Sequence, residues 1–141
     1  MTVSKHEYAQ KLGMEGGPDG VDIPLKGSIA GICAETLKQF YTPRTKESPY
    51  KPVALTHRLG LNTQLNTPII INGDKFAGCI VTCMEREDGF SEIDQMLVND
   101  VAHMFGASIY AKRLRLAAER SNTVSREMLH SMIPPKVSRQ K

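Results

Sequence analysis

An α+β fold is predicted by three features of this 141-residue chain. First, Asn72-Gly73-Asp74 separates two β-rich runs, and Asn-Gly supplies the positive φ angles that a two-residue hairpin turn needs. Second, apolar residues at helical spacing begin after Ser91 and continue to Ile133. Third, a shorter helical pattern follows Gly27-Ser28. Read in order, the chain is strand, glycine turn, helix, long loop, hairpin, long helix.

Met1 to Leu12 is a weak strand or helix candidate. Gly13 to Gly20 is a turn cluster, because Gly16-Gly17-Pro18-Asp19-Gly20 punctuates any regular pattern. Val21 to Leu25 reads as a short strand. Ser28 is placed to cap a helix, and Ile29, Ile32, Cys33, Leu37 and Phe40 follow its spacing, so the helix is expected to run from Ser28 to Phe40. Prolines and basic residues make a loop of Thr42 to Pro52. Leu65 to Ile71 reads as a buried strand, and Phe76 to Met84 as its return strand. Glu85 to Gly89 is a charged turn. Ser91-Glu92-Ile93-Asp94 has the form of a capping box. An unbroken helix from there to Ile133 would be about 60 Å long at 1.5 Å per residue. Its second half would then project and require a partner helix. Pro134-Pro135 would end it.

The length suits one domain able to bury its own core. Bases dominate from Lys112 onward (Lys112, Arg113, Arg115, Arg120, Arg126, Lys136, Arg139 and Lys141, against Glu119 and Glu127). Without interleaved aromatics to stack bases, this is read as a solvated helix face rather than a nucleic-acid surface. No stretch is apolar enough to span or insert in a bilayer, and no signal peptide is visible. Three cysteines, an odd count, fit a reducing compartment, so a cytoplasmic domain is expected.

Ile23-Pro24-Leu25-Lys26-Gly27-Ser28-Ile29-Ala30-Gly31, then Thr67 to Ile71, Phe76 to Val81 and Phe90 to Asp94, occur in an order that resembles a GAF domain over roughly residues 8–115. The resemblance implies a GAF/PAS-like central antiparallel sheet with flanking helices. A ligand pocket would lie under the Ser28–Phe40 helix and the Tyr41–Asn66 loop. Too few residues precede Ile23 for the family's opening helix and strand, so the N-terminal part is expected to be truncated. Residues 1–111 would form the sensory domain, and 112–141 a signalling helix and linker to an output domain. Met128 to Val137 is similar to the segment that precedes class III nucleotide cyclase catalytic domains, and similar proline-terminated linkers precede phosphodiesterase domains. The family's cyclic-nucleotide binders carry Asn-Lys and then Phe, three residues, Asp-Glu. Phe90 and Asp94 match that pattern. Gln95 replaces the Glu, and the Asn-Lys position falls near Cys83-Met84.

The resemblance, weighed with the residues, implies a small-molecule-sensing module that dimerises through its C-terminal helix in a cyclic-nucleotide signalling enzyme. A ligand-free dimerisation scaffold is the alternative. The candidate ligand-binding residues are Ser28, His57, Asn62, Thr63, Thr82 and Cys83, with Asn66 and Thr67 as further polar groups. No catalytic residue, metal ligand or cofactor is expected. Gly31-Ile32-Cys33-Ala34 is similar to a stretch of the free methionine sulfoxide reductases, a catalytic GAF branch. The reactive cysteine of that branch has no counterpart in Leu55 to Leu61, and the reaction needs a thiol there. Cys33 is therefore read as a small core residue. Cys79 and Cys83, four apart on a strand, should share one face as packing or pocket lining.

Overall fold

The computed structural model describes residues 25–50 and 56–133. Helix α1 spans Ile29–Thr36. Strand β1 (Phe40–Thr42), a 3₁₀ turn at Thr45–Glu47, strand β2 (Thr63–Ile71), strand β3 (Lys75–Met84) and helix α2 (Glu92–Met132) follow. Among the described residues the strands form one antiparallel sheet, ordered β1-β2-β3. The α+β class and the long C-terminal helix match expectation.

The hairpin forms as its turn chemistry dictates, with Asn72 at φ 53° and Gly73 at φ 81°. β2 pairs with β3 from Thr63↔Met84 to Ile71↔Lys75, with a register shift at Ile69/Ile70. β1 pairs with β2 only from Phe40↔Asn66 to Thr42↔Gln64. Among the described residues Pro68 therefore pairs with β3 alone, and on the open side of β2 a missing N–H costs no ladder bond.

Two expectations are corrected. The first helix stops at Thr36, not Phe40, because Leu37 turns left-handed (φ 56°) and its N–H closes onto the Cys33 carbonyl. Phe40 instead opens β1, and its ring meets Tyr50 edge-on at 6.0 Å. The covering loop expected from Tyr41 to Asn66 is also shorter, since β1 occupies its start and β2 begins at Thr63. The readings of residues 1–24, 51–55 and 134–141 lie outside the described residues. Leu25, the last position of the expected Val21–Leu25 strand, opens a turn by accepting the Ser28 N–H.

Helix α2 opens with the expected capping box. Asp94 N–H donates to Ser91 Oγ at 3.2 Å, and Ser91 N–H donates to Asp94 Oδ2 at 2.8 Å. The helix lies on β2 through Ala102 and Gly106, its buried residues. A Cβ at Gly106 would stand 2.1 Å from the Ile70 carbonyl oxygen, so only glycine permits this approach. From residue 111 to 133 every side chain is exposed. The 41-residue helix is about 61 Å long.

Candidate functional site

Antiparallel pairing decides which side chains share a face. The rungs Phe40/Asn66/Val81, Thr42/Gln64/Cys83 and Pro68/Cys79 point to one side. This is the α1 side, where Phe40, Cys79, Tyr50 and Phe76 pack against buried Ile29 and Cys33. The rungs Tyr41/Leu65/Thr82 and Thr67/Ile80 point to the α2 side. There the Tyr41 and Phe90 rings meet edge-on at 6.3 Å. Gln39 Nε2 donates to Thr67 Oγ1 at 2.8 Å and to the Gln95 carbonyl at 3.0 Å, tying the segment after α1 to α2.

The α1 face carries an unusual polar floor. Thr42, Gln64 and Asn66 are 6%, 5% and 3% exposed. Gln64 Nε2 donates to Asn66 Oδ1 at 2.6 Å. Among the described residues buried Thr42 Oγ1 has no hydrogen-bond partner. An orphaned buried hydroxyl costs about 1–3 kcal/mol, and buried polar groups ordinarily have partners. Cys83 is half-buried on the same rung as Thr42 and Gln64, and burial pushes its thiol up to about 11. Cys79 shares the face, as its spacing from Cys83 predicts.

The six predicted residues fall into separate places. Ser28 is buried and serves its own helix, since Oγ accepts from Gly31 N–H at 3.1 Å and donates to the Leu25 carbonyl at 2.9 Å. His57, Asn62 and Thr63 gather at the start of β2. His57 Nδ1 lies 3.0 Å from Asn62 Oδ1, and Asn62 Nδ2 donates to the Glu85 carbonyl. Thr63 Oγ1 contacts the Pro43 and Arg86 carbonyls and accepts from Gly89 N–H, which pins the turn before α2. Thr82 lies on the α2 side, its hydroxyl 3.4 Å from the Leu65 carbonyl. Cys83 alone of the six joins the polar floor. Sequence reasoning missed Thr42 and Gln64. Their facing depends on strand register, and Thr42 lies in the stretch whose prolines and basic residues predict a loop.

Phe90 and Asp94, the matched half of the cyclic-nucleotide motif, have local duties here. Phe90 packs against Tyr41, and Asp94 caps α2. Ser91 holds the Asp94 carboxyl below the usual range, through its hydroxyl first and its backbone N–H second. A groove of about 560 Å³ also runs beside α2, lined by Gln39, Ile70, Gln95, Met96 and His103 among others. Among the described residues no cluster of three His, Cys, Asp or Glu could hold a metal ion. Among them, too, no helix is long and apolar enough to cross a membrane.

The sequence matches no protein-family model, and no curated protein matches it. Solved structures do match. A GAF domain structure superposes with TM-score 0.50 at 20% identity, covering 61% of this chain and 47% of its own. The GAF domain region of a protein from Geobacter sulfurreducens PCA superposes with TM-score 0.55 at 18% identity, covering 66% and 64%. The fold is that of a GAF domain. A type II free methionine-R-sulfoxide reductase from Thermoplasma acidophilum has it too, with TM-score 0.51 at 15% identity and coverage of 67% and 64%. The chain thus spans 47% to 64% of the lengths of these structures. A fold shared by an enzyme leaves activity to be argued from the site.

Proposed function

We propose that the chain is a small-molecule-sensing regulatory module, not an enzyme, and that its ligand rests on the polar floor of the α1 face. The observation that carries this reading is the orphaned Thr42 hydroxyl beside the Gln64–Asn66 pair. A ligand bearing a hydrogen-bond donor or acceptor would supply the missing partner. Gln39 ties the segment that follows α1 to α2. A ligand moves α2 only by binding one of its arrangements better than another.

The module is proposed to work in the cytoplasm as a homodimer joined through α2. Exposed apolar side chains support this, with Ile93 70%, Met96 67% and Met104 70% accessible and Leu114, Val124, Met128 and Met132 continuing the exposure. A partner helix would cover them, and with them the groove at Met96. That stripe, which needs no ligand, also favours the second reading, a dimerisation scaffold with an unused pocket. The similarity of Met128 to Val137 to cyclase linkers supports a parent enzyme in cyclic-nucleotide signalling, a nucleotide cyclase first and a phosphodiesterase second.

Native mass spectrometry of the purified chain tests the sensing reading. A co-bound metabolite released by Gln64→Ala is expected, whereas a chain that always flies empty and binds nothing from a metabolite panel leaves the scaffold. Sedimentation of the full chain and of a version ending at Ala111 tests the dimer, and two monomers would end it. Calorimetry should find cAMP and cGMP weaker than about 10 μM, or less than about 7 kcal/mol, because Cys83-Met84 replace the Asn-Lys pair. Submicromolar binding would refute that.

A further inference from the structure

Two thiols meet where α1 crosses β3. Cys33 is fully buried. Cys79 packs against the cluster that Cys33 forms with Ile29 and is partly buried. Cys33 Sγ lies 3.7 Å from the Asn66 carbonyl oxygen, to which its S–H donates. Cys79 Sγ lies 3.7 Å from the carbonyl oxygen of the next residue, Ile80. One sulfur thus retains access to solvent, while its neighbour is enclosed.

We propose that Cys79 and Cys33 form a hydroperoxide-sensitive dithiol, in which Cys79 is the attacking sulfur and Cys33 the resolving one. The thiolate is the nucleophilic form, and Cys79 is the one of the pair that an oxidant can reach. Its pKa is lowered, chiefly by the Cys33 S–H, against the opposing effect of burial. Cys33 shifts upward, because losing its proton would break the bond to Cys79 and leave a charge buried, and the Phe40 backbone N–H only partly offsets this. Cys83, on the same strand and face, has burial as its perturbing influence and rises to about 11. The local environments therefore rank Cys79 ahead of Cys83 as nucleophile.

The chemistry balances with a hydroperoxide as oxidant. The Cys79 sulfur attacks the terminal oxygen, the O–O bond breaks, and the alkoxide or hydroxide leaves, taking up the proton that Cys79 had given up. Cys79 becomes a sulfenic acid. Cys33 sulfur then attacks Cys79 sulfur, the S–O bond breaks, and hydroxide leaves with the Cys33 proton as water. Two thiols have lost two electrons in total, and the peroxide has been reduced to an alcohol and water. The new S–S bond ties α1 to β3 on the face that carries Thr42, Gln64 and Asn66.

The test uses the full chain, reduced, freed of reductant and exposed to hydrogen peroxide. Samples are quenched in acid, unfolded, alkylated and mapped by mass spectrometry. The expected result is an intact mass lower by two hydrogen atoms. A single peptide should link Cys33 to Cys79, Cys83 should remain alkylated, and dithiothreitol should reverse the change. In Cys33→Ser, dimedone should label Cys79. The wild-type map decides the question even if that variant does not fold. Oxidation of Cys83 before Cys79, a linkage through Cys83, or persistent alkylation of both Cys33 and Cys79 would overturn the proposal.

Discussion

Replacing Gly106 with alanine sets two known energies against each other at the point where α2 rests on the sheet. An alanine Cβ would sit 2.1 Å from the Ile70 carbonyl oxygen and 3.1 Å from its carbon. Even a favourable C–H···O contact holds carbon and oxygen about 3.3–3.6 Å apart, so α2 must withdraw by more than about 1 Å. The neighbour is backbone in a paired strand and cannot rotate aside as a side chain would. Alanine is the better helix former by about 1 kcal/mol. Overpacking of a tight contact costs about 1–3 kcal/mol, and withdrawal also unseats Ala102, which is fully buried one turn earlier. The clash should win, leaving Gly106→Ala less stable by about 1–2 kcal/mol. Urea unfolding followed by circular dichroism, at one protein concentration because association shifts stability, gives the number. Ser121→Ala, exposed in the projecting half of the helix, is the propensity control and should be stabilising by a few tenths of a kcal/mol. If Gly106→Ala equals or exceeds the parent in stability, the helix is not held on the sheet at this contact, and the reasoning fails.

Thr42→Val replaces the orphaned hydroxyl with a methyl of similar shape. The ligand-free chain should gain about 1 kcal/mol, while any small molecule shown to bind should bind more weakly. A loss of stability in the empty chain would mean the hydroxyl is already satisfied. Ser91→Ala removes the cap of α2 and should cost about 1 kcal/mol, read from the shift in urea midpoint. The Asp94 carboxyl in the same box has its folded pKa below its unfolded one. Its contribution is therefore complete above the unfolded value and is lost as pH falls through the folded value. Unfolding measured along a descending pH series should show this acid limb, and Asp94→Asn should flatten it. An unchanged limb in Asp94→Asn would assign the pH dependence elsewhere.

The local elements were legible in the chain because short-range chemistry specifies them. Asn72-Gly73 adopts the two positive φ angles of its turn, Ser91 and Asp94 cap each other across one helical turn, and α2 carries no proline to stop it before Met132. What depends on a distant partner was not legible. β1 is three residues long and is a strand only because Phe40–Thr42 pairs with Gln64–Asn66. Leu37 ends α1 in a left-handed conformation that glycine would have announced and leucine does not. The parity of Thr82 and Cys83 could be read locally, but which of them faces α1 could not, because the pleat alternates and only the packing of helices on the sheet names its two sides. By itself the sequence determined the start of α1, the hairpin, the cap and the long helix. The tertiary structure decided that Thr42, Gln64 and Asn66 share a buried floor, that Cys33 meets Cys79, and that Gly106 lies against Ile70. Each of these is a contact between segments far apart in the chain, fixed by strand register and helix docking, which no short stretch of residues encodes.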